Sequence, residues 1–198
     1  MDFDQWRADY GRMTDDQQRA FYDDLERNYP DQRHYTAALV DRFLTIASPR
    51  SVLEMGGWKG ELAAAMLARH STIEAWTNYE LSARAIAATA CRDLRYRAVP
   101  CGFRWWTAAD VPWADAFIAS HVIEHLSDAD CLSLLSAVRA RHVYLEAPLH
   151  TRQTAGWAGY CGSHIMSMDW PQIDGVLRAA GFDKIEEHIG VGMYRAKD

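Results

Sequence analysis

The run Ser51-Val-Leu-Glu-Met-Gly-Gly-Trp-Lys-Gly60 carries the strongest structural signal in this chain. Its first half is a short apolar segment of the kind that forms a buried strand, and its second half contains three glycines. An Ala- and Leu-rich segment at residues 61–69 follows with the composition of a helix. The run therefore predicts a strand, a glycine turn and a helix in direct succession.

The rest of the chain alternates between strand-like and helix-like segments. Further strands are predicted at residues 72–79, 96–99, 114–120 and 142–146, and further helices at residues 33–46, 82–91, 128–140 and 169–180. Alternation of this kind predicts a doubly wound α/β fold, whose mainly parallel sheet is covered by helices on both faces. Ligands bind such sheets beyond the carboxyl ends of the strands, so we expect the functional residues there.

The glycine turn indicates a ligand that approaches bare backbone, because glycine permits positive φ and has no side chain. A dinucleotide site would present the pattern G-x-G-x-x-G to a pyrophosphate, and that pattern is absent here. Instead, Glu54 ends the strand two residues before Gly56. A carboxylate in this place repels a pyrophosphate and attracts a cationic ligand. The alternative interpretation is a tight turn that binds nothing.

The segment Val52-Leu-Glu-Met-Gly56 resembles the opening V-L-E-x-G-x-G-x-G of class I S-adenosylmethionine-dependent methyltransferases of the small-molecule type. This resemblance implies a Rossmann-like fold and S-adenosylmethionine as the cofactor, which leaves as S-adenosylhomocysteine. The middle glycine of the motif is Trp58 in this chain, so the turn must either direct the indole outward or use it as a wall over the cofactor. The cofactor-binding residues implied by the resemblance in this segment are Glu54, Met55, Gly56, Gly57, Trp58 and Gly60.

Glu80 ends the second predicted strand, 20 residues after Gly60. An acidic side chain at this place can accept hydrogen bonds from both hydroxyls of a ribose. The resemblance implies this role for Glu80, with Leu81 and, after the third strand, Cys101 in the same cofactor site. The alternative is a solvated glutamate that stabilises the start of a helix, but the spacing from the glycine turn favours the ribose.

The run Ser120-His-Val-Ile-Glu-His-Leu126 follows an apolar strand and is the longest family-specific match in the chain. It resembles the segment after the fourth strand of the same methyltransferases. The resemblance implies that Ser120 and His121 lie beside the cofactor and that Glu124 and His125 begin the next helix. A histidine with a near-neutral pKa can act as a general base, so His121 is a candidate catalytic residue. The alternative, bracing the turn by hydrogen bonds, is preferred for His125.

Two more histidines are candidate catalytic residues in the acceptor pocket. His150 follows the fifth predicted strand, and His164 precedes the last predicted helix. Cys161 lies close to His164 in sequence, which raises the alternative of a zinc site. Three ligands with irregular spacing are a weak zinc pattern, so no metal is predicted.

Length and composition limit the class of protein. The 198 residues suit a single domain, and the net charge of −6 makes a nucleic-acid partner unlikely, since phosphate backbones demand a basic face. No apolar run approaches the ~18 residues that a membrane helix needs. The four cysteines form no C-x-x-C pair, which is typical of reduced thiols in a cytoplasmic protein.

Residues 1–47 carry no recognisable motif and are predicted to form an N-terminal helical extension. In related enzymes such helices commonly cap the cofactor cleft, and the resemblance implies that Trp6, Tyr10 and Tyr22 do so here. The extension is assigned to the same domain as the S-adenosylmethionine-binding part, residues 48–198.

The predicted function is methyl transfer from S-adenosylmethionine to a small-molecule acceptor. The sulfonium carbon is already electrophilic, so the protein mainly has to align the acceptor and exclude water. Two alternatives come from other classes. Trp58 keeps open a methyltransferase-like binding protein without turnover. A nicotinamide-dependent oxidoreductase is disfavoured by the missing G-x-G-x-x-G pattern.

Overall fold

A computed structural model describes residues 9–10, 12–28, 37–101, 111–148 and 166–197. The described strands are β1 (Ser51–Met55), β2 (Ala75–Glu80), β3 (Tyr96–Pro100), β4 (Ala114–Ser120), β5 (Ala140–Glu146), β6 (Phe182–His188) and β7 (Val191–Ala196). The helices are α1 (Asp15–Asn28), α2 (Ala37–Ala47), α3 (Glu61–Leu67), α4 (Ala83–Ala87), α5 (Asp128–Ala137) and α6 (Trp170–Ala179), with a 3₁₀ turn at Ile123–His125. The strands form one sheet in the order β3-β2-β1-β4-β5-β7-β6.

The strand order reverses between β1 and β4. Leu53 of β1 lies opposite Thr77 of β2 on one side and Phe117 of β4 on the other, and both pairings are parallel. β3 and β5 extend the parallel part outward, while β7 is antiparallel to β5 and to β6. The predicted doubly wound, mainly parallel sheet is confirmed. The carboxyl ends of β1 and β4 flank the point where ligands bind in such sheets.

Both faces of the sheet are covered by helices. Along β4, Phe117 and Ala119 belong to one buried cluster, whereas Ala116 and Ile118 belong to the other. This is the period of two that a strand buried on both faces produces. The first cluster takes in α5 and α6, and the second takes in α2 and α3. The prediction of helices on both faces is therefore confirmed.

The sequence analysis does not predict the hairpin that β6 and β7 form. β6 reads Phe182-Asp-Lys-Ile-Glu-Glu-His188, and its charged residues hide the strand pattern. β6 is also the last strand of the sheet. Charged side chains are common on edge strands, because they discourage pairing with another chain. The sequence therefore predicts five strands, whereas the described sheet has seven, and the two missed strands are the antiparallel pair β6 and β7.

Two predicted helices extend three or more residues beyond the C-terminal ends of the real ones. The helix predicted at residues 82–91 is α4, which begins after Ser82, whose Oγ accepts the N–H of Ala85 at 3.0 Å, and ends at Ala87. The helix predicted at residues 128–140 is α5, which ends at Ala137 because the chain enters β5 at Ala140.

Glu124 and His125 do not begin the helix after β4, as the resemblance implies, but lie in the 3₁₀ turn. Helix α5 begins later, after Ser127, whose Oγ accepts the N–H of Asp130 at 3.1 Å. This serine cap satisfies one of the backbone amides at the start of the helix. The helix start implied by the resemblance is therefore one turn too early, whereas the start that the residue pattern predicts, at residue 128, is confirmed.

The described part of the N-terminal extension is helical, as predicted, and α1 begins after Thr14. The N–H of Gln17 donates to Thr14 Oγ1 at 3.3 Å, and the N–H of Thr14 donates to Gln17 Oε1 at 2.8 Å. This reciprocal pair is a capping box. In the part of the chain that the structure describes, no helix is long and apolar enough to cross a membrane.

Gly175 provides a test of helix stability inside α6. Apart from its chain neighbours and the backbone of its own helix, no described atom lies within 4 Å of a Cβ added at this glycine. Gly175→Ala reduces the conformational freedom of the unfolded chain without a clash in the folded one. We expect the free energy of unfolding to rise by about 0.5–1 kcal/mol in urea denaturation. A decrease would contradict the open surroundings of this position.

Candidate cofactor and active site

The turn between β1 and α3 has a left-handed backbone at Gly56, Trp58 and Gly60, where φ is +67°, +49° and +75°. The N–H of Gly56 donates to the carbonyl of Tyr79 at 2.8 Å, and a Cβ at Gly56 would lie 2.5 Å from Val122 Cγ2. Glycine is therefore required at Gly56 both by its φ and by the space around it.

Trp58 takes the place of the motif's middle glycine and keeps a glycine-like backbone. Such a backbone costs a residue with a side chain about 1–2 kcal/mol. The N–H of Trp58 donates to Glu80 Oε2 at 2.9 Å, which helps to hold this conformation. The indole is partly buried, and its Nε1–H has no hydrogen-bond partner among the described residues. Tryptophan in place of the motif's glycine thus changes the side chain at this position, while the backbone keeps a left-handed conformation that glycine favours.

Glu54 lies beneath the turn. Its Oε2 accepts the Nε1–H of Trp76 at 2.7 Å, and a Cβ on Gly57 would lie 2.5 Å from its Cδ. Burial raises the pKa of Glu54 to about 7; the hydrogen bond from Trp76 opposes this effect, and the charge of Glu80 adds to it. Glu54 is therefore placed to support Gly57 from inside the protein.

Asn78 is a second support of the turn, and no sequence motif points to it. Its Oδ1 accepts the N–H of Gly57 at 2.9 Å, and its Nδ2 donates to the hydroxyl of Tyr96 at 3.0 Å. Side chains alternate along a strand, so Trp76, Asn78 and Glu80 lie on one side of β2. Counting back from Glu80 in steps of two is the sequence signal that finds Asn78 and Trp76.

Glu80 ends β2, and both of its carboxylate oxygens accept backbone amides. Its Oε2 accepts the N–H of Trp58, and its Oε1 accepts the N–H of Ser82 at 2.8 Å. Burial raises the pKa of Glu80 to about 7, although the amides of Ser82, Trp58 and Leu81 act in the opposite direction. The carboxylate therefore lies at the carboxyl edge of the sheet beside the glycine turn. Its bond to a ribose stays a prediction.

Three other predicted cofactor residues have buried side chains near this edge. Met55 is fully buried in the core, and Leu81 and Cys101 are nearly so. The N–H of Cys101 donates to the carbonyl of Glu80 at 3.0 Å. A contact between Met55 and a ligand would therefore involve its backbone.

His121 follows β4 with a left-handed backbone, at a φ of +55°. Its backbone N–H donates to the carbonyl of Glu146 at 2.7 Å. Its Nδ1 lies 3.3 Å from Glu124 Oε1, and its Nε2 lies 4.0 Å from Glu146 Oε1. Glu146 Oε2 in turn accepts the hydroxyls of Ser120 at 2.8 Å and Tyr144 at 3.1 Å. The imidazole is thus held between two carboxylates.

The balance of these surroundings raises the pKa of His121. Burial lowers it, but the hydrogen bond to Glu124 and the charges of Glu124 and Glu146 outweigh that effect. The imidazole keeps 32% of its surface exposed, whereas the two carboxylates keep only 3% and 8%. A protonated imidazole is therefore stabilised at a position that still reaches the surface.

Helix α1 packs against the same edge of the sheet. The ring of Tyr22 meets that of His125 edge to face, with centroids 6.1 Å apart, and the Tyr22 hydroxyl lies 2.9 Å from that of Tyr10. Burial raises the pKa of Tyr22, and Tyr10, Glu124 and Glu80 raise it further. Tyr22 therefore lies near the carboxylates of β2 and of the loop after β4.

Several residues of the sequence-based site lie outside the described residues. They are the candidate bases His150 and His164, Cys161 of the alternative zinc set, and Trp6 of the predicted cap. Of the three candidate bases, the structure therefore locates His121.

No protein-family model matches this sequence, and no curated protein matches it. Solved structures do resemble it. Human N-acetylserotonin methyltransferase in complex with S-adenosylmethionine superposes with a TM-score of 0.63 at 15% identity; the match covers 93% of this chain and 57% of the human one. The methyltransferase domain of bacterial CtHen1-C has a TM-score of 0.62 at 14% identity, covering 82% of this chain and 97% of the domain.

A third similar structure contains both a substrate and a cofactor product. The Burkholderia thailandensis 1,6-didemethyltoxoflavin-N1-methyltransferase, with bound 1,6-didemethyltoxoflavin and S-adenosylhomocysteine, has a TM-score of 0.61 at 15% identity. The match covers 91% of this chain and 88% of that enzyme. At such identities the likeness concerns the fold. The chain has the class I S-adenosylmethionine-dependent methyltransferase fold.

Gly57→Ala tests how tightly the turn is supported. The added Cβ would lie 2.5 Å from Glu54 Oε2 and 2.8 Å from Asn78 Cγ. Both side chains are hydrogen-bonded and can move only by breaking those bonds. We expect the free energy of unfolding to fall by about 1–3 kcal/mol in urea denaturation. Gly175→Ala, in open space, is the matched control, and a neutral Gly57→Ala would show that the turn relaxes freely.

Proposed function

We propose that this protein transfers a methyl group from S-adenosylmethionine to a small-molecule acceptor. The observation that carries the proposal is the convergence of the glycine turn and Glu80 where the strand order reverses. The N–H of Trp58 and the carboxylate of Glu80 meet there at 2.9 Å. The solved structures with bound S-adenosylmethionine or S-adenosylhomocysteine share this fold and support the same cofactor.

The residues beside the turn fit such a cofactor. Each oxygen of an ionised carboxylate accepts more than one hydrogen bond, so Glu80 can hold its backbone amides and still receive two ribose hydroxyls. Gly56 and Gly60 give the turn the left-handed backbone that carries it past the end of β1. Ser120 and His121 lie across the reversal point at the end of β4. The cofactor-binding set that we propose is Glu54, Met55, Gly56, Gly57, Trp58, Gly60, Glu80, Leu81, Cys101, Ser120 and His121.

The cofactor, when bound, supplies an electrophilic methyl group. His121 is proposed to accept the proton that an acceptor hydroxyl or amine loses as it attacks that methyl group. Glu124 holds Nδ1, and Glu146 stabilises the positive charge once Nε2 is protonated. His150 and His164 remain proposed members of the acceptor pocket.

One observation supports a second candidate, a methyltransferase-like binding protein without turnover. Trp58 puts a bulky indole into a left-handed position that the motif gives to glycine. If the indole narrows the space for the methionine part of the cofactor, the site binds its ligand in an unproductive position.

The surroundings of the site are part of the same proposal. We assign residues 1–47 as a cap within one domain with residues 48–198; the contacts of α1 with the site support this assignment. We also place the protein in the cytoplasm. The described cysteines Cys91, Cys101 and Cys131 are free and buried, as is common for reduced thiols.

Calorimetry with S-adenosylhomocysteine at pH 6 and pH 8 tests the cofactor site. Burial raises the pKa of Glu80 to about 7, so the carboxylate is more often ionised at pH 8, where it accepts ribose hydroxyls better. We expect tighter binding at pH 8. In Glu80→Gln, which cannot ionise, binding should weaken by about 1.5–3 kcal/mol and lose much of its pH dependence. No binding at millimolar ligand would contradict the proposal, and binding of NADH instead would indicate an oxidoreductase.

The stability of the ligand-free protein is a control, because its expected change with pH is opposite to that of ligand binding. The pKa values of Glu54 and Glu80 are raised from 4.5 to about 7, so the folded chain retains protons that the unfolded chain releases. The free energy of unfolding should therefore fall as pH rises from about 4.5 to about 7. Tighter binding at higher pH thus cannot come from a more stable protein.

His121 provides the test of the proposed base. Glu124→Gln should lower the pKa of His121, because it removes the negative charge 3.3 Å from Nδ1 and keeps the shape of the side chain. Glu146→Gln should lower it less, since that carboxylate lies 4.0 Å from Nε2. NMR titration of the imidazole resonances measures both changes, with His70 and His188, whose carboxylate partners are Asp41 and Glu186, as internal controls. An unchanged pKa in Glu124→Gln would remove Glu124 from the proposed mechanism.

A further inference from the structure

Helix α1 is hydrogen-bonded directly to the segment that carries Glu80. Asp23 Oδ1 accepts the hydroxyl of Ser82 at 2.6 Å and the backbone N–H of Arg84 at 3.1 Å. Ser82 is the N-cap of α4, and its hydroxyl oxygen also accepts the N–H of Ala85 at 3.0 Å. One carboxylate of α1 therefore holds the start of the helix that follows β2.

The same residue, Ser82, also contacts the cofactor site. Its backbone N–H donates to Glu80 Oε1 at 2.8 Å, and Glu80 Oε2 accepts the N–H of Trp58 at 2.9 Å. An unbroken series of hydrogen bonds thus connects Asp23, Ser82, Glu80 and the glycine turn. Every member between Asp23 and Trp58 belongs to β2 or to the cap of α4.

The contribution of Asp23 to this series is geometric. Its charge has the same sign as that of Glu80, so it makes ionisation of Glu80 harder. Asp23 accepts hydrogen bonds from two donors at the start of α4, the Ser82 hydroxyl and the Arg84 N–H. These bonds fix the position of Ser82, whose backbone N–H donates to Glu80. A neutral acceptor of the same shape would therefore serve as well.

A second contact fixes α1 at the other side of the crevice. Tyr22, the neighbour of Asp23, packs edge to face on His125 in the turn after β4. Helix α1 therefore touches the β2 side through Asp23 and the β4 side through Tyr22, and its docking spans the point where the strand order reverses.

We propose that Asp23 is a positioning residue of the cofactor site, which fixes Glu80 through Ser82 and thereby couples the docking of α1 to cofactor binding. This inference rests on the proposed function, because it assigns the ligand of Glu80. Coupling of this kind is reciprocal: whatever docking of α1 adds to cofactor affinity, the cofactor adds to docking of α1.

Asp23→Ala, Asp23→Asn and Asp16→Ala, each tested in the full chain, separate the possibilities. Calorimetry with S-adenosylhomocysteine should show about tenfold weaker binding for Asp23→Ala, because the Ser82 hydroxyl and the Arg84 amide lose the acceptor that fixes the start of α4. Asp23→Asn should bind like the unmodified chain, because the amide oxygen can accept both donors. Asp16→Ala removes an equal charge from an exposed pair with Arg19 on the same helix, and it should also bind normally.

Hydrogen exchange of residues 15–28 provides the second measurement. S-adenosylhomocysteine should slow exchange there in the unmodified chain and in Asp16→Ala, and should do so less in Asp23→Ala. Equal affinity of Asp23→Ala, or exchange that the ligand leaves unchanged in the unmodified chain, overturns the coupling while the proposed function stands. If Asp23→Ala does not fold, the exchange experiment on the unmodified chain still decides. Failure of the unmodified chain to bind overturns the proposed function itself.

Discussion

The backbone amides of Gly57 and Trp58 need acceptors, because the turn that contains them is partly buried and an unpaired amide there is unfavourable. β2 supplies both acceptors from one side of the strand, with Asn78 for the first amide and Glu80 for the second. The conformation of the turn therefore depends on the register of β2 beside β1. That register is fixed by parallel pairing along the whole of β1, from Ser51 to Met55.

This arrangement concentrates buried negative charge at one edge of the sheet. Glu54, Glu80, Glu124 and Glu146 are all buried and lie at or just beyond the carboxyl ends of β1, β2, β4 and β5. Burying a carboxylate is unfavourable unless hydrogen bonds or opposite charges compensate for the lost water. Amides, an indole, hydroxyls and an imidazole provide part of that compensation here. A ligand that brings positive charge to this edge would complete it.

Sequence patterns predict those elements in which the order of apolar and polar residues matches their burial in the fold. β4 is predicted at the residues where it lies, because it is apolar and buried along its length. The glycine turn is predicted because φ and close packing both require glycine at Gly56. β6 is missed because an edge strand can carry charges that resemble a loop or helix. Asn78 and Trp76 are missed because their partners lie in the turn after β1 and in β1 itself, which no local motif of β2 records.

At His121 the left-handed backbone does not depend on the imidazole, so the path of the loop and the proposed proton transfer depend on different parts of the residue. The conformation is one that glycine adopts without strain, and the bond that holds it is made by the backbone N–H to the carbonyl of Glu146. The chain can therefore lose the imidazole during evolution and keep the path of its loop. If His121 has the proposed role, a methyl-transferring chain and a non-catalytic one can differ by this one side chain while their backbones remain superposable.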